Sequence, residues 1–577
     1  MKSECKNKSA SGPSPDDILK SSAKGAYYLV LLQLLSRLLT FALHQVILRY
    51  TNPRTFGIAA VQLELLLATI LFLSREGFRC ALLRDATVRE SNDKKSEKAA
   101  RQDRIYANTS KGVIQKITNL SYVSIPFGVV LSVLACVFYL YFATEEAIEA
   151  PYYTTSVILY GLSALGELLI EPLYIAATNN LMFTVRVRCE GVGVVVRCII
   201  TLLLTLMGAP ADGKGENKYG VLAFAVAQFA YTLVLVFGYI EHFVNHWDMK
   251  TLKPRRLVYT INNREYQKWF DDHLLSLATT FTKQSLLKHI LTEGDKMLIT
   301  WLCTAEDQGV YAFVVNYGCL IVRILFQPLE ETGRTLFSKL LAGVDRPEEN
   351  EVDKSKDAAV SDIGESSREQ LLTAAKILAT TIKLHLLLGL LFIAFGTNYT
   401  GAFIDLLVGA RWSIESPAPL VLSFYCLYVP VMGVNGITEA FVAAVASEEI
   451  LGSLNYWLMV FSAGFCLAGV LFVRVLSLGA IGLVAANIFN LSMRILWSWG
   501  FIRKYFLKNR SGNVLSELER QLSLKNLIPS PAVVTAFALG WAVTYWSDQE
   551  IGWMSLNAKI WHFGLGCVCA LIVLGVT

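Results

Sequence analysis

Long apolar segments dominate this chain and limit what it can fold into. At 54% hydrophobic and 17% charged residues, its composition lies outside the range of soluble proteins. Runs of about 17 or more apolar residues are long enough to cross a bilayer as helices. Fourteen such runs occur, at 25–48, 55–74, 117–142, 153–176, 184–207, 219–240, 274–301, 310–327, 371–395, 418–445, 454–473, 479–500, 530–546 and 560–577. Because lipid-exposed backbone must form hydrogen bonds within its own segment, we predict an all-α polytopic membrane protein with about 14 transmembrane helices.

The distribution of Lys and Arg predicts how these helices are oriented. With the N-terminus in the cytosol, the cytosolic tails and loops hold 34 of the 52 basic residues and the opposite side holds 7. Basic residues accumulate in cytoplasmic loops, so both termini are predicted to be cytosolic. In this topology Asn398 is the only glycosylation sequon in a lumenal loop, and we expect it to lie too close to the bilayer for efficient use.

The parts between the spans are short and polar. The predicted organisation is a flexible cytosolic N-terminus (1–24), an N-lobe (25–240), a cytosolic linker (241–273), a C-lobe (274–500) with a flexible loop at 345–370, a second linker (501–529) and two final spans (530–577). Residues 89–111 also have the composition of a flexible connection. In the second linker, Leu515, Leu518 and Leu522 recur at helical spacing, which predicts either an interfacial helix or an amphipathic linker.

The chain shows no constellation that indicates an enzyme, a metal site, a cofactor site or a nucleic-acid partner. The stretch 208–214 imitates a phosphate loop, but Gly215 replaces the required Ser or Thr and no strand precedes it. His242 and His246 lie four residues apart, which favours a solvated helix face over a metal pair. The prediction is therefore a transporter that is driven by a gradient or by no energy source.

An internal repeat predicts two similar halves. Ile70-Leu71-Phe72 followed by Glu76 recurs as Ile324-Leu325-Phe326 followed by Glu330, at an offset of 254 residues. Tyr160 and Glu171 recur as Tyr428 and Glu439, and 220–228 resembles 479–487. These matches occur in order and six spans apart. They predict two six-helix lobes related by an axis along the membrane normal, followed by two appended C-terminal helices.

Ionisable residues inside the spans point to a polar pathway, because each costs roughly 2.5–3.5 kcal/mol at a helix centre. The segment 274–301 is the richest of them. Basic residues exceed acidic ones within the spans, which suits an anionic ligand in a cavity between the lobes. The predicted binding residues are Arg37, Arg75, Lys283, Lys288, Arg323 and Arg494. The predicted supporting residues are Glu293, Lys296, Glu171 and Glu439.

Simpler roles stay open for several of these charges. Glu293 and Lys296 could form an internal structural pair, and Glu171 and Glu439 could be hydrogen-bond partners between packed helices. Arg186 and Lys376 lie near predicted cytoplasmic ends and could extend toward the headgroups.

Several runs make the chain resemble the eukaryotic Rft family. They are Leu71–Glu76, Glu171-Pro172, Lys283–Lys288 with Leu291–Gly294, Asp307–Tyr311, Arg323–Glu331 and Tyr425–Tyr428 with Asn435–Glu439. The resemblance covers about residues 25–505. It implies the fold of the multidrug/oligosaccharidyl-lipid/polysaccharide superfamily, residence in the endoplasmic reticulum membrane and a role in N-glycosylation.

The resemblance also implies a substrate. It is dolichyl pyrophosphate carrying five mannoses and two N-acetylglucosamines, which moves from the cytosolic to the lumenal leaflet by alternating access, with membrane lipids and glycosylation enzymes as further partners. Two other functions stay open at this point. One is a protein that presents this lipid to glycosylation enzymes without transporting it, and the other is a small-molecule antiporter.

Overall fold

The computed structural model describes residues 41–84, 105–107, 109–180, 182–210, 217–247, 252–261, 264–341, 365–507 and 512–576. Predictions that concern other residues, including the role of Arg37, lie outside the described part of the chain.

Helices make up most of the described chain. Up to residue 302 the elements are α1 (41–50), α2 (Pro53–Gly57, continued by a π-helical stretch Ile58–Leu63 and by Glu64–Arg84), β1 (Ile105–Tyr106), α3 (Ser110–Ser121), α4 (Ser124–Tyr141), α5 (Glu145–Ile148), α6 (Tyr153–Leu169), α7 (Glu171–Asn179), α8 (Phe183–Met207), α9 (Val221–His246), β2 (Leu257–Ile261), β3 (Arg264–Lys268) and α10 (Asp272–Leu302).

The second half is helical throughout its described part. Its elements are α11 (Ala305–Ile321, π-helical Val322–Phe326 and Gln327–Leu341), α12 (Glu365–Leu391, π-helical Phe392–Gly396 and Thr397–Val408), α13 (Ala410–Ser413), α14 (Ala418–Val445), α15 (Glu448–Val470 and π-helical Leu471–Val475), α16 (Gly479–Leu507), α17 (Gly512–Gln521), α18 (Leu524–Leu527), α19 (Pro531–Glu550) and α20 (Leu556–Val576).

The predicted class, an all-α polytopic membrane protein, is confirmed, but the count of 14 spans is not. In the described part, 10 helices are long and apolar enough to cross a membrane, or 11 if the bent pair α6 and α7 counts as one span. The predicted first span lies mostly outside the described residues. Helix α10 is not among these spans because it contains many polar and ionisable residues. Helix α19 is not among them because it is too weakly apolar to meet the criterion for a span.

Backbone contacts divide the chain into two units. The first unit contains 1–50, 66–142 and 151–285, and the second contains 51–65, 143–150 and 286–577. The division does not follow the predicted lobe boundary near residue 241. The start of α2 belongs to the second unit, and α10 changes unit between Ser285 and Leu286.

In the first unit, α6 and α7 follow each other with a sharp bend between them. Their axes bend by 42° at Ile170, and Pro172 occupies the first turn of α7. Proline lacks an N–H group and its ring clashes with the carbonyl one turn earlier, so the helical ladder cannot run straight through this point. Ile170 and Leu173 then pack against Tyr239 and Phe243 of α9. The bend therefore fixes where Glu171 enters the bundle.

The two connections of the first unit pair with each other, which the sequence did not predict. Strand β1 pairs in parallel with β2, with Ile105 opposite Leu257, and β2 pairs antiparallel with β3. Asn119 of α3 donates hydrogen bonds of 2.7 Å to the backbone carbonyls of both Arg255 and Trp269. Residues 105–106, which were predicted to be flexible, therefore form a small sheet with two strands of the predicted cytosolic linker 241–273.

In the second unit, the beginning of α2 crosses α11 at two glycines. A Cβ atom on Gly57 would overlap the carbonyl oxygen of Ala305, and one on Gly309 would overlap that of Pro53. Only glycine allows two helix backbones to approach this closely. The contact is supported by a hydrogen bond of 2.9 Å from Gln62 to Gln308, both of which are buried.

Helix α17 lies in the second predicted linker and carries Leu515 and Leu518. Leu518 and Leu522 are buried in an apolar cluster with Phe337, Phe441 and Phe506, and Leu515 is half-buried. The leucine spacing thus predicted the correct amphipathic helix, but its apolar face packs against protein.

The last two helices pack against α12 through buried polar contacts. Asn398 donates to Thr544 Oγ1 at 2.8 Å, and the ring of His562 lies 2.8 Å from Ser547 Oγ and stacks on Tyr399 at 4.1 Å. Asn398 was predicted in a loop and is instead buried in a helix. Its amide is therefore inaccessible to glycosylation in the folded protein.

Candidate functional site

Two arginine–glutamate pairs join neighbouring helices of the first unit. Arg75 and Arg79 lie four residues apart on α2, and Glu167 and Glu171 lie four residues apart across the bend between α6 and α7. Residues at this spacing share one helix face. Arg75 Nη1 lies 3.3 Å from Glu167 Oε2, and Arg79 Nη2 donates to Glu171 Oε2 at 2.7 Å while its Nε donates to the other carboxylate oxygen.

The second pair is the more deeply buried. Glu171 has no exposed surface, and the guanidinium of Arg79 lies 3.8 Å from the centre of the Tyr174 ring. The two-pronged contact fixes both planar groups, and the aromatic face adds a cation–π interaction. Sequence reasoning chose Glu171 but overlooked Arg79. The spacing of Arg75 and Arg79 was the signal that could have revealed it.

The first pair continues into a polar network. Gln228 of α9 donates to Glu167 Oε1 at 3.5 Å and accepts a hydrogen bond of 2.9 Å from Arg197 of α8. Arg75 was predicted to bind an anion directly. In the structure Glu167 already offsets its charge, so its role in binding stays a prediction.

These side chains surround a polar pocket of about 110 Å³, here called the unit-1 pocket. Its charged lining residues are Arg75, Arg79, Arg186, Glu167, Glu171 and Glu190. Three tyrosines complete the polar wall, Tyr174, Tyr231 and Tyr239. Arg186 was predicted only to extend toward the headgroups. Instead it forms an ion pair of 2.9 Å with Glu190 at the edge of this pocket.

The second unit contains one comparable pair. Arg494 of α16 donates to both carboxylate oxygens of Glu439 on α14, at 2.7 and 2.8 Å. Each side chain retains 28% of its exposure. On the same helix, a Cβ atom at Gly436 would overlap the carboxylate of Glu330, which packs directly on that glycine. Like Arg75, Arg494 was predicted to bind the anion and is instead paired with a glutamate.

The charged run on α10 forms contacts of two kinds. Lys296 pairs with Glu293 at 2.7 Å, so the internal pair considered from the sequence is present. Asp295 faces Tyr311, whose hydroxyl lies 3.5 Å from the carboxylate and accepts a hydrogen bond of 3.1 Å from Asn487. No role for Tyr311 or Asn487 could be predicted from the sequence, because the three residues come from three separate helices.

Two of the predicted binding residues differ from Arg75 and Arg494, which are paired with glutamates. Lys283 on α10 and Arg323 on α11 are exposed, and neither has an ion pair within the described ranges. Arg323 lies at the midpoint of the 37-residue helix Ala305–Leu341. Lys288 is also exposed. Lys283 belongs to the first unit and Arg323 to the second.

An apolar groove of about 780 Å³ lies within the second unit. Its walls come from α12, α14 and α19, and include Leu390, Leu420, Leu427, Val534 and Phe537. Trp541, Tyr545 and Trp553 supply aromatic surface at the same groove. Its volume is in the range of ligand-binding clefts.

His242 and His246 do not form part of a metal centre in the described chain. Their rings stack at 4.6 Å, and His246 Nδ1 lies 3.0 Å from the carbonyl oxygen of His242. Across the described ranges, no group of three or more His, Cys, Asp or Glu side chains could hold a metal ion.

The fold resembles that of a solved flippase. The lipid II flippase MurJ, in an inward closed conformation, aligns with a TM-score of 0.55 over 95% of this chain and 98% of that chain. The two sequences are 13% identical, so this likeness concerns the fold alone.

Sequence comparison identifies much nearer relatives. A Xenopus tropicalis protein named Man(5)GlcNAc(2)-PP-dolichol translocation protein RFT1 is 31% identical over 575 residues, which cover 97% of this chain and 94% of that protein. Proteins of the same name from Yarrowia lipolytica and Saccharomyces cerevisiae are 34% and 30% identical, and the alignments cover 86% and 85% of this chain and 72% and 84% of those proteins. The family model described as Rft protein matches residues 21–577. The chain therefore belongs to the Rft protein family.

Proposed function

We propose that this protein translocates dolichyl pyrophosphate carrying five mannoses and two N-acetylglucosamines across the endoplasmic reticulum membrane. The direction is from the cytosolic to the lumenal leaflet, where the lipid serves protein N-glycosylation. The names of its relatives support this substrate, and the flippase-like fold supports a transport role rather than an enzymatic one. The excess of Lys and Arg in alternate loops supports cytosolic termini.

The observation that carries the proposal is the state of Lys283 and Arg323. Arg75, Arg79, Lys296 and Arg494 each have a carboxylate partner, whereas these two do not in the described part of the chain. Arg323 lies at the midpoint of a membrane-spanning helix, where an unpaired cation is unfavourable unless water or an anion solvates it. A pyrophosphate supplies oxygens that accept hydrogen bonds from an ammonium or from a guanidinium group.

The substrate also requires an apolar surface, because its polyprenyl chain cannot occupy a polar cavity. The groove of the second unit offers such a surface between α12, α14 and α19. Two of its walls, α12 and α14, are membrane-spanning helices, and its largely apolar lining suits an isoprenoid chain. We assign the chain of the lipid to this groove.

The proposal is tested with Lys283→Ala and Arg323→Ala in purified protein in lipid nanodiscs. Each variant should weaken binding of the dolichyl-pyrophosphate oligosaccharide by about 1.5–3 kcal/mol, the range for a hydrogen bond to a charged group. Both side chains are exposed, so thermal unfolding should be unchanged. Reconstituted vesicles then show whether movement of the lipid between leaflets is lost in parallel.

Lys376→Ala is the matched control, because Lys376 is an exposed base near the start of α12 and should tolerate neutral replacement. Normal binding by both variants would show that neither Lys283 nor Arg323 binds the pyrophosphate. Normal binding by the wild-type protein without any transport would instead indicate a protein that presents the lipid to other enzymes.

A further inference from the structure

The unit-1 pocket is polar but electrically balanced. Three arginines and three glutamates line it, so the charges of its wall sum to zero. This distinguishes it from the sites of Lys283 and Arg323, where a positive charge has no carboxylate partner in the described chain. A pocket with a neutral wall does not favour a pyrophosphate. It favours a neutral ligand that can both donate and accept hydrogen bonds.

Tyr239 indicates that the pocket is incomplete without a ligand. The side chain is 1% exposed, and its hydroxyl is buried without a hydrogen-bond partner among the described residues. Buried polar groups in proteins nearly always have a partner, and leaving one unsatisfied is unfavourable. A tyrosine hydroxyl can both donate and accept. Tyr239 lines the unit-1 pocket, so a ligand hydroxyl that enters there is a candidate partner for its hydroxyl.

The pocket has an accessible edge and a buried end. Arg186 and Glu190 retain 47% and 40% of their side-chain exposure, whereas Glu171 and Tyr239 are buried. The volume of about 110 Å³ is well below the roughly 300–1,000 Å³ of typical small-molecule pockets. That space admits one edge of a sugar ring with its hydroxyls, and excludes a whole branched glycan.

We propose that the unit-1 pocket is a saccharide subsite that takes hydroxyl groups of one sugar unit of the lipid-linked oligosaccharide. Carboxylate oxygens accept from sugar hydroxyls, guanidinium groups donate to them, and the tyrosine rings pack against the C–H face of the ring. This inference rests on the proposed function, since it assigns the glycan of the same substrate. In the orientation proposed above, the pocket opens near the cytosolic ends of α2, α8 and α9.

The test compares two lipids on the same protein in nanodiscs: dolichyl pyrophosphate without sugars, and dolichyl pyrophosphate carrying the oligosaccharide. The wild-type protein should bind the glycosylated lipid more tightly. Tyr239→Phe and Glu190→Gln should each reduce this preference by about two- to tenfold, the effect of one lost hydrogen bond. Affinity for dolichyl pyrophosphate itself should not change.

Tyr153→Phe is the control, because Tyr153 is equally buried in the first unit and lies outside the pocket. It should leave both affinities unchanged. An unchanged preference in both pocket variants overturns the proposal and indicates a pocket filled only by water. Equal loss of affinity for both lipids in Tyr239→Phe also overturns it, because the tyrosine would then support the protein rather than recognise sugar.

The same two lipids test the proposed function separately from the saccharide subsite. Lys283→Ala and Arg323→Ala should weaken binding of both lipids and leave their ratio unchanged. If the wild-type protein binds neither lipid, the free oligosaccharide released from the lipid becomes the probe, with binding followed by saturation-transfer NMR. Reduced transfer in Tyr239→Phe but not in Tyr153→Phe would then support the saccharide subsite alone, and equal transfer in both would reject it.

Discussion

The two units secure equivalent glutamates with arginines from different helices. In the first unit Glu171 is held by Arg79 of α2, and in the second unit Glu439 is held by Arg494 of α16. The internal repeat of the sequence predicts that Glu171 and Glu439 occupy equivalent positions. Both contacts are two-pronged, so the requirement for a guanidinium at this carboxylate is shared although its source differs.

The same repeat predicts which residue of each unit occupies the position where the other unit has its arginine. Its offset of 254 places Gly333 where the first unit has Arg79, and its offset of 259 places Leu235 where the second unit has Arg494. Leu235 is buried and lines the unit-1 pocket together with Glu171. Each unit therefore uses one of two possible arginine positions and fills the other with a small or apolar residue. A buried carboxylate tolerates a change of partner, but not the loss of one.

The largest expected effect is on the free energy of unfolding, and it should differ between the two glutamates because Glu171 is more deeply buried than Glu439. Glu171→Gln should cost about 3–5 kcal/mol of unfolding free energy, because it leaves Arg79 buried without its counter-charge. Glu439→Gln should cost only about 1–2 kcal/mol, since water reaches a pair that is 28% exposed on each side. Thermal or denaturant unfolding of both variants in the same detergent measures the difference. Equal losses would contradict the argument from burial.

A double substitution tests whether the arginine of the first unit can be supplied from the position that the second unit uses. Arg79→Leu should destabilise the first unit, and Leu235→Arg alone should also destabilise it by burying an extra charge. Together they place a guanidinium where the second unit has Arg494, so the double variant should recover about 1–2 kcal/mol relative to the sum of the single variants. Unfolding of the three variants completes a double-mutant cycle. Strict additivity would show that the two positions are not equivalent.

The smallest expected effect concerns Asp271, which contacts the small sheet of the first unit through Tyr259. Asp271 contacts Lys116 at 2.9 Å and accepts from Tyr259 at 3.1 Å. Burial alone raises the pKa of Asp271, but the hydrogen bond from Lys116 and the backbone N–H of Leu274 outweigh burial and lower it. A lowered carboxylate pKa stabilises the fold above about pH 4, the ordinary Asp value, and this contribution disappears as pH falls through the lower folded pKa.

Asp271→Asn should therefore cost about 1 kcal/mol at neutral pH, and less as the solution is acidified below pH 4. Hydrogen exchange of β2 and β3 amides reports the loss locally. Asp272→Asn is the control, because its pair with Lys268 is 79% exposed on the acidic side and should contribute nothing measurable. A pH-independent effect of Asp271→Asn would contradict the ionic origin of the contact.

The residues of α10 show how far the sequence could predict the candidate site. Their charges marked the helix as unusual, and the pair Glu293–Lys296 follows from spacing along one helix. The contact between Asp295 and Tyr311 depends on how α10 and α11 pack, and no local pattern encodes it. Likewise, Arg75 and Arg494 were predicted as binding residues from the sequence, but their glutamate partners are 92 and 55 residues away.

The sequence by itself determined the helical membrane class and the family, and it predicted two similar halves. Hydrophobic length and the distribution of Lys and Arg act locally along the chain, so these features can be read without a structure. Tertiary structure decided which arginine meets which glutamate, where the unit-1 pocket forms and why α17 packs against protein. It also paired residues 105–106 with 257–258 across a separation of about 150 residues. These contacts depend on distances between segments far apart in the chain, and only packing of the whole bundle sets those distances.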